Sequence, residues 1–275
     1  MERAAPSADS GQIRLSAYRA TPYRVTEVHL DFRLSPEETI VTATTGFARR
    51  DGTAPGTPLE LDGDELALVS VRLDGATLAE DAYVASSQGF RLETPPAGDF
   101  TLEVVTRLDP AANTKLMGLY RSSGNWCTQC EAEGFRRITY AYDRPDVLAV
   151  YTTRIEARRS DAPFLLSNGN PVEKGEVPGT DRHFAVWHDP FPKPAYLYAM
   201  VAGDFGRIED RFTTASGRDV LLEIFVEHGR EDRADYAMDA LKRSMRWDEE
   251  VFGLEYDLDV FMIVAVGDFN MGAME

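Results

Sequence analysis

Alternating apolar and polar residues run through the first two hundred positions of the chain. Residues 28–34 follow this pattern, and residues 100–104 repeat it after a Pro-Pro break. A period of two puts successive side chains on opposite faces, which is typical of a half-buried strand. Residues 69–73 form a similar segment that runs into Asp74-Gly75, a tight-turn dipeptide. Many short strands and no long helix up to about residue 203 predict a sandwich or a saddle-like sheet.

The pattern changes after Asp204. Residues 220–227 are predicted as a strand, and a helix follows from about residue 233 to residue 252. We expect Asp232 to cap this helix and Gly253 to end it. A buried strand from Leu258 to Val266 comes next, so the segment begins as strand, helix, strand. The apolar face of the helix is predicted to hold Ala237, Leu241, Met245 and Phe252.

Chain length and local composition together predict two domains and a tail. The chain has 275 residues and 43% hydrophobic content, which is enough for two cores. Residues 1–18 are expected to be a poorly ordered tail, because Ala, Pro, Ser, Asp and Gly dominate and no periodicity is visible. We predict an N-terminal β domain over residues 19–203 and the beginning of an α/β domain over residues 204–275.

The charge of the chain restricts its partners. Its 29 Lys and Arg residues against 46 Asp and Glu give a net charge of −17, which argues against nucleic acid and anionic membranes as partners and favours a cationic ligand. No segment approaches the roughly 18 apolar residues of a membrane span, and residues 1–12 lack the apolar core of an export signal. Two cysteines make no disulfide framework, so we expect a reducing, cytoplasmic setting.

The two cysteines stand in Trp126-Cys127-Thr128-Gln129-Cys130, which matches the Trp-Cys-x-x-Cys core of thiol-disulfide enzymes. A redox cysteine needs a helix N-terminus to lower its pKa, and the flanking residues predict no strand followed by a helix. Zinc binding is also disfavoured, since a structural site uses four ligands and no second pair exists. We favour two reduced thiols in a loop and keep a thiol-disulfide oxidoreductase as the weaker alternative.

Six segments match a known family in chain order: residues 119–146, 164–170, 189–194, 201–205, 252–256 and 271–275. In these segments the chain resembles the bacterial members of the aminopeptidase N (alanyl aminopeptidase) family of zinc aminopeptidases. The final residues match the family's Gly-Ala-Met-Glu-Asn exopeptidase signature except for its Asn, before which the chain stops. This resemblance implies a mainly β fold, with a saddle-like N-terminal β domain followed by the truncated start of a thermolysin-like α/β catalytic domain.

The resemblance also implies residues that recognise the substrate's amino terminus. Gln129 and Glu131 match the family's Gln-x-Glu pair that contacts the first residue of the substrate, and Glu275 matches the glutamate that binds the free α-amine. The chemistry fits, because an α-amine with a pKa near 8 is largely a cation at neutral pH and pairs with carboxylates through charge-assisted hydrogen bonds. An internal peptide bond would leave those carboxylates unpaired, so such a site favours exopeptidase action.

The same motif implies roles for the residues before Glu275. Gly272 and Ala273 match a strand-like loop that pairs with the substrate backbone, which small side chains permit. Met271 matches the methionine that lines the first side-chain pocket, where a flexible thioether accepts several side chains. Met274 is expected to be a packing residue.

The family's zinc ligands have no counterpart in this sequence. They form a His-Glu-x-x-His helix plus a distant Glu, whereas the four histidines here include no pair at the spacing of that helix. We therefore expect no catalytic residue and no metal ligand in this chain, and zinc only in a longer parent enzyme of broad specificity that includes Ala. The expected partners are peptides with a free N-terminus and the missing catalytic part. A non-catalytic module that binds peptide N-termini, or has a structural role, is the alternative.

Overall fold

The structure is a computed structural model that describes residues 14–269 and 271–273. Most of the predicted tail therefore lies outside the described residues, and within its last part Leu15–Ala17 forms a single 3-10 turn. Further 3-10 turns are Glu80–Ala82, Phe135–Arg137, Ala195–Leu197 and Glu231–Arg233.

Strands dominate the described residues, as the alternating pattern predicts. The strands up to residue 122 are β1 Tyr23–Arg33, β2 Thr39–Arg49, β3 Leu59–Asp62, β4 Ala67–Leu73, β5 Ala76–Thr77, β6 Tyr83–Ser86, β7 Gly89–Leu92, β8 Phe100–Leu108 and β9 Gly118–Ser122. The later elements are β10 Asn125–Gln129, β11 Leu148–Arg158, β12 Phe164–Ser167, β13 Asn170–Glu176, β14 Arg182–Pro194, β15 Met200–Gly203, β16 Gly206–Thr213, β17 Asp219–Val226, helix α1 Asp235–Phe252 and β18 Val260–Val264.

An eight-stranded sheet forms the body of the structure, in the order β13-β14-β11-β1-β2-β8-β4-β5. Neighbours are antiparallel except β1 and β11, which run parallel. In β1 the apolar members of the alternation, Val28, Leu30 and Phe32, are buried. The predicted Asp74-Gly75 turn joins β4 to β5, and both residues have the positive φ angles that a tight hairpin turn requires.

Smaller sheets pack around this body. One has the order β12-β15-β10-β9, and another has the order β3-β7-β6. A continuous apolar core joins them to the main sheet, with stacked and edge-on aromatic rings such as Phe135 against Tyr151 and Tyr198. The mainly β fold predicted up to residue 203 is therefore confirmed, and no α-helix precedes α1 in the described part of the chain.

A three-stranded sheet in the order β16-β17-β18 begins after Gly203, and α1 packs on it. The helix buries Met238, Leu241 and Met245 against the apolar side chains of β16 and β17. Each such side chain contributes about 1.5–3 kcal/mol when fully buried. The opposite face of β17 reaches the main core, where Phe225 packs edge-on against Phe164 at 5.2 Å between ring centroids.

Three details of this segment differ from the prediction. Asp232 does not cap α1, because it lies within the 3-10 turn Glu231–Arg233 and the helix begins after Ala234 without a side-chain cap. Phe252 is not on the buried face; it is 60% exposed, and its ring packs edge-on against the exposed Trp247. The last strand is shorter than predicted and is mostly half-buried, because among the described strands β18 pairs only with β17.

The end of α1 matches the prediction. Gly253 has φ of 66°, and its N–H donates to the carbonyl of Glu249 at 3.1 Å. Glycine adopts this left-handed conformation without the steric cost that other residues meet. None of the helices described here is long and apolar enough to cross a membrane.

Candidate substrate-recognition site

The hairpin of β9 and β10 carries the first group of predicted site residues. Its register pairs Tyr120 with Cys127 and Gln129 with Gly118. Cross-strand partners and alternate residues share a face, so Tyr120, Ser122, Cys127 and Gln129 lie on the same face of the hairpin. Gly118 is required at its position, since it has φ of 72° and a Cβ there would lie 2.6 Å from the Cβ of Arg137.

Gln129 is fully buried at the end of β10, with no exposed surface. Neither the amide oxygen nor the amide nitrogen of its side chain has a hydrogen-bond partner among the described residues. Its neighbour Thr128 points to the other face and is fully bonded, because its hydroxyl accepts from Met200 N at 2.8 Å and donates to Met200 O at 3.2 Å. An unpaired buried amide is costly, so Gln129 is a candidate for a hydrogen bond with a group that the described residues do not supply.

Glu131 follows this strand and is half-buried. The acidic residues around it are held in ion pairs: Glu133 lies 3.4 Å from Arg136, and Asp143 lies 3.0 Å from the same guanidinium. Glu131 has no such ion pair with any residue that the structure describes. Its carboxylate therefore remains available to a cation.

The loop after β18 carries the second group. Its first residue continues the sheet, because Ala265 N–H donates to Phe225 O at 2.9 Å. Met271, Gly272 and Ala273 are exposed, with Met271 at 40%. Met274 and Glu275 lie outside the described residues, so the predicted amine-binding role of Glu275 stays a prediction.

Three hydrogen bonds tie this loop to the shared face of the hairpin. The Tyr120 hydroxyl donates to Asp268 O at 3.0 Å, Asp268 N–H donates to Ser122 Oγ at 2.8 Å, and Ser122 Oγ lies 3.3 Å from Asp268 Oδ2. Tyr120 and Ser122 are buried. We call these contacts of Tyr120, Ser122 and Asp268 the loop latch. The fold thus brings the loop onto the hairpin face that bears Gln129.

No feature of the sequence indicated the loop latch. Its hydrogen bonds join residues that are 146 and 148 positions apart in the chain, and tyrosine and serine in a strand are ordinary residues. Among the residues of the loop latch and the predicted site, only the predicted site residues Gln129, Glu131 and the segment of residues 271–275 belong to a motif.

Both cysteines are buried, and Cys127 lies within β10, which differs from the loop position expected from the sequence. Burial raises the pKa of the Cys127 thiol to about 12, with a further contribution from the Asp268 carboxylate. Burial also raises the pKa of Cys130 well above its ordinary value. A redox cysteine needs the opposite shift and access to solvent, so this environment does not favour the thiol-disulfide alternative.

The histidines make local hydrogen bonds. Nε2 of the buried His183 lies 2.7 Å from Ala162 O, and Nδ1 of His188 lies 2.9 Å from Thr152 Oγ1. His228 pairs with Asp204 at the surface, and His29 lies beside Glu27. Within residues 14–269 and 271–273, no group of three or more His, Cys, Asp and Glu side chains is placed to hold a metal ion.

Two surface cavities lie apart from the predicted site. One of about 330 Å³ lies between the Ser167–Gly169 turn and β18, with the buried ion pair of Asp189 and Lys193 in its wall. The other, of about 420 Å³, is lined by acidic residues and by Arg107 and Arg137. Of the predicted site residues that the structure describes, none lines either cavity.

Solved structures define the class to which this fold belongs. The chain superposes on Legionella pneumophila aminopeptidase A in complex with aspartic acid with a TM-score of 0.89 and 36% identity, over 94% of this chain and 30% of that one. An M1 zinc metallopeptidase from Deinococcus radiodurans shares the fold, with a TM-score of 0.73 and 17% identity, over 88% and 56% of the two chains. The fold is therefore one that aminopeptidase structures contain.

Sequence comparison gives the family. The profile described as the Peptidase M1 N-terminal domain matches residues 57–197, and the chain belongs to the peptidase M1 family. It is 51% identical to aminopeptidase N of Haemophilus influenzae over 94% of this chain, 53% identical to that of Caulobacter vibrioides over 96%, and 52% identical to that of Escherichia coli over 94%. The chain spans only 29%, 30% and 29% of the lengths of these relatives.

Proposed function

We propose that this chain is the N-terminal part of a zinc aminopeptidase that removes single N-terminal residues from peptides. The observation that carries the proposal is the fully buried Gln129 amide, next to the half-buried Glu131 carboxylate; among the described residues the amide has no hydrogen-bond partner and the carboxylate has no ion pair. Close relatives named aminopeptidase N support the proposal. The chain would supply part of the substrate-recognition site, and its two proposed domains are residues 19–203 and 204–275.

In this proposal the cationic α-amine of the substrate is bound by carboxylates. Glu131 would provide one and Glu275 the other, while the Gln129 amide bonds the first residue of the substrate. A charged hydrogen bond in a recessed site is stronger than a neutral one, and it is not available to an acetylated or internal amide. Recognition of the free N-terminus by charge would thus make the enzyme an exopeptidase.

The loop would bind the rest of the first residue. Gly272 and Ala273 have no side chain beyond Cβ, so an extended substrate backbone could approach and pair with theirs. Met271, which is exposed, would contact the first side chain, where a flexible thioether tolerates several shapes including the methyl of Ala.

We place the zinc in the remainder of the longer polypeptide, together with the residues that activate water. Bound zinc lowers the pKa of water and polarises the scissile carbonyl. The part played by this chain is to bind and orient the amino terminus of the substrate. Peptides with a free N-terminus and the remaining catalytic part are the proposed partners, and nucleic acid and membranes are not, given the net charge of −17.

We also propose a cytoplasmic setting, which the two unpaired thiols support. A thiol-disulfide function is less well supported, because both thiols are buried and their pKa values are raised. No specific contact favours a purely structural or non-catalytic binding role over the aminopeptidase proposal.

The proposal is tested in the longer polypeptide by the variants Glu131→Ala and Glu275→Ala. Losing a charged partner in a recessed site costs on the order of 2–4 kcal/mol, so kcat/KM for an alanine anilide should fall roughly 30- to 1000-fold. The penalty should shrink for substrates with an acetylated α-amine, which lack the cation. Zinc content should not change.

Glu133→Ala is the matched control, because this acidic residue lies two positions from Glu131 and is ion-paired with Arg136 at the surface. It should change kcat/KM less than about twofold. If both Glu131→Ala and Glu275→Ala kept normal kcat/KM in folded, zinc-loaded enzyme, amine recognition by these carboxylates would have to be abandoned.

A further inference from the structure

We propose that Tyr120 and Ser122 are positioning residues, which hold the loop after β18, described over residues 265–269 and 271–273, against the hairpin face that bears Gln129. The inference rests on the proposed function and deepens it. It identifies the contacts that bring together the two groups of proposed recognition residues. One group lies at the end of β10 and the other in the loop after β18, far apart along the chain. Tyr120 and Ser122 act through Asp268, and they do not themselves need to contact the substrate.

The hairpin end of the loop latch is rigid. Tyr120 is fully buried and Ser122 is 1% exposed, and both lie in β9, which pairs with β10 along its whole length. Burial raises the pKa of Tyr120, so its hydroxyl stays protonated and remains a donor to Asp268 O at neutral pH. The three hydrogen bonds engage the N–H, the carbonyl and the carboxylate of Asp268. One residue of the loop is therefore fixed through all of its polar groups.

Because Asp268 is held in place, the length of the chain limits how far Met271 can lie from Asp268. A fully extended chain spans at most about 3.6 Å per residue, so Met271 lies within about 11 Å of Asp268. Cys127 is the cross-strand partner of Tyr120, and Gln129 lies two residues further along β10. Two residues of a strand span about 7 Å, so Gln129 lies about 7 Å along β10 from Cys127. Without the loop latch the loop would be tethered only at the end of β18, and its distance from Gln129 would vary.

A second contact at the other end of β18 provides a matched control. Asp259 N–H donates to Asn170 Oδ1 at 2.8 Å, and Asn170 Nδ2 donates to Asp259 Oδ2 at 3.1 Å. Ser122 and Asn170 thus each hold one aspartate by a backbone N–H and a carboxylate oxygen. The Asn170 contact holds Asp259, just before β18, whereas the loop latch holds Asp268, after β18. Loss of the Asn170 contact should therefore weaken docking of β18 without releasing the loop that carries the proposed recognition residues.

The first experiment measures amide hydrogen exchange in the 275-residue chain. In Ser122→Ala, exchange at the Asp268 amide should be accelerated about tenfold or more, while the Asp259 amide is unchanged. Asn170→Ala should give the reverse. Exchange at Asp268 that is equally slow in wild type and Ser122→Ala would overturn the loop latch, whatever the activity of the longer enzyme.

The second experiment measures steady-state kinetics of the longer polypeptide with an alanine anilide. Ser122→Ala and Tyr120→Phe should each lower kcat/KM about 5- to 20-fold, mainly through KM, since fewer molecules hold the loop in the binding geometry. Asn170→Ala should lower it less than twofold. Zinc content and melting temperature serve as controls, and Ser122→Ala and Asn170→Ala should shift the melting temperature to a similar extent.

The outcomes separate the two proposals. A wild-type longer polypeptide without aminopeptidase activity would refute the proposed function, and the exchange experiment would still decide whether the loop latch exists. An active enzyme in which Ser122→Ala and Asn170→Ala lower kcat/KM equally would overturn the positioning role, because the effect would then come from docking of β18 alone.

Discussion

Replacing the Gln129 amide by an apolar side chain should stabilise the folded chain and, in the longer polypeptide, impair activity. Its side chain is fully buried, and neither polar atom has a hydrogen-bond partner among the described residues. Leaving a buried polar group unpaired costs about 1–3 kcal/mol. Methionine has a similar length and no amide, so Gln129→Met should raise the free energy of unfolding of the 275-residue chain by about 1–2 kcal/mol.

Thr128→Val is the matched control at the neighbouring position. The Thr128 hydroxyl makes two hydrogen bonds with the backbone of Met200, at 2.8 Å and 3.2 Å, and Met200 is fully buried. Valine has nearly the same shape but leaves those two backbone groups unpaired. This variant should lower the free energy of unfolding by about 1–3 kcal/mol, so the two neighbouring changes have opposite signs.

Urea unfolding of both variants, followed by circular dichroism, measures the two effects, and the dependence of the free energy on urea should be unchanged. In the longer polypeptide, Gln129→Met should lower kcat/KM for an alanine anilide in spite of its greater stability. A loss of stability of more than about 1 kcal/mol in Gln129→Met would refute the reasoning, because it would mean that the amide is well bonded in the folded chain.

Two further predictions concern residues of the strand-rich part of the chain before residue 204. Cys127 and Cys130 should not react with a thiol reagent in the native chain at pH 8 and should react fully in denaturant, because burial raises their pKa values, that of Cys127 to about 12; rapid labelling of the native chain would contradict their burial. Burial acts to raise the pKa of Glu156, but hydrogen bonds from Arg154 and Arg182 outweigh it, and its pKa lies below the ordinary 4.5. The resulting stability is present above pH 4.5 and is lost as pH falls through the lower, folded-state pKa. Unfolding measured between pH 6 and 3 should therefore show a smaller acid loss in Glu156→Gln than in wild type, and equal losses would argue against the ion pairs as its cause.

The local pattern of the sequence was enough to predict the mainly β fold up to residue 203 and the position of helix α1. Alternation of apolar and polar residues follows from the backbone geometry of a strand. The left-handed conformation at Gly253 follows from the absence of a side chain. Both features can therefore be predicted from a few neighbouring residues in the sequence. The family was predicted from short motifs that remain recognisable without a structure, and the match to the Peptidase M1 N-terminal domain confirms it.

The prediction was wrong where tertiary contacts outweighed local preference. Phe252 fits the helical period but lies beyond the surface that β16 and β17 cover, so it is exposed. Asp232 is a good capping residue, but the chain enters α1 through a 3-10 turn that displaces it from the N-cap. Sequence periodicity shows which residues could face a core, and it does not show where that core ends.

For the proposed recognition site, too, some features could be predicted from the sequence and others depended on the tertiary structure. The sequence by itself determined which residues are proposed to recognise the substrate, because Gln129, Glu131 and the segment of residues 271–275 belong to motifs of the family that the chain resembles. Only the tertiary structure decided that Gln129 is buried without a partner, that both thiols are inaccessible, and that Tyr120 and Ser122 hold the loop through Asp268. The physical reason is distance along the chain, since hydrogen bonds between residues nearly 150 positions apart depend on how separate sheets pack, and no local pattern encodes that packing.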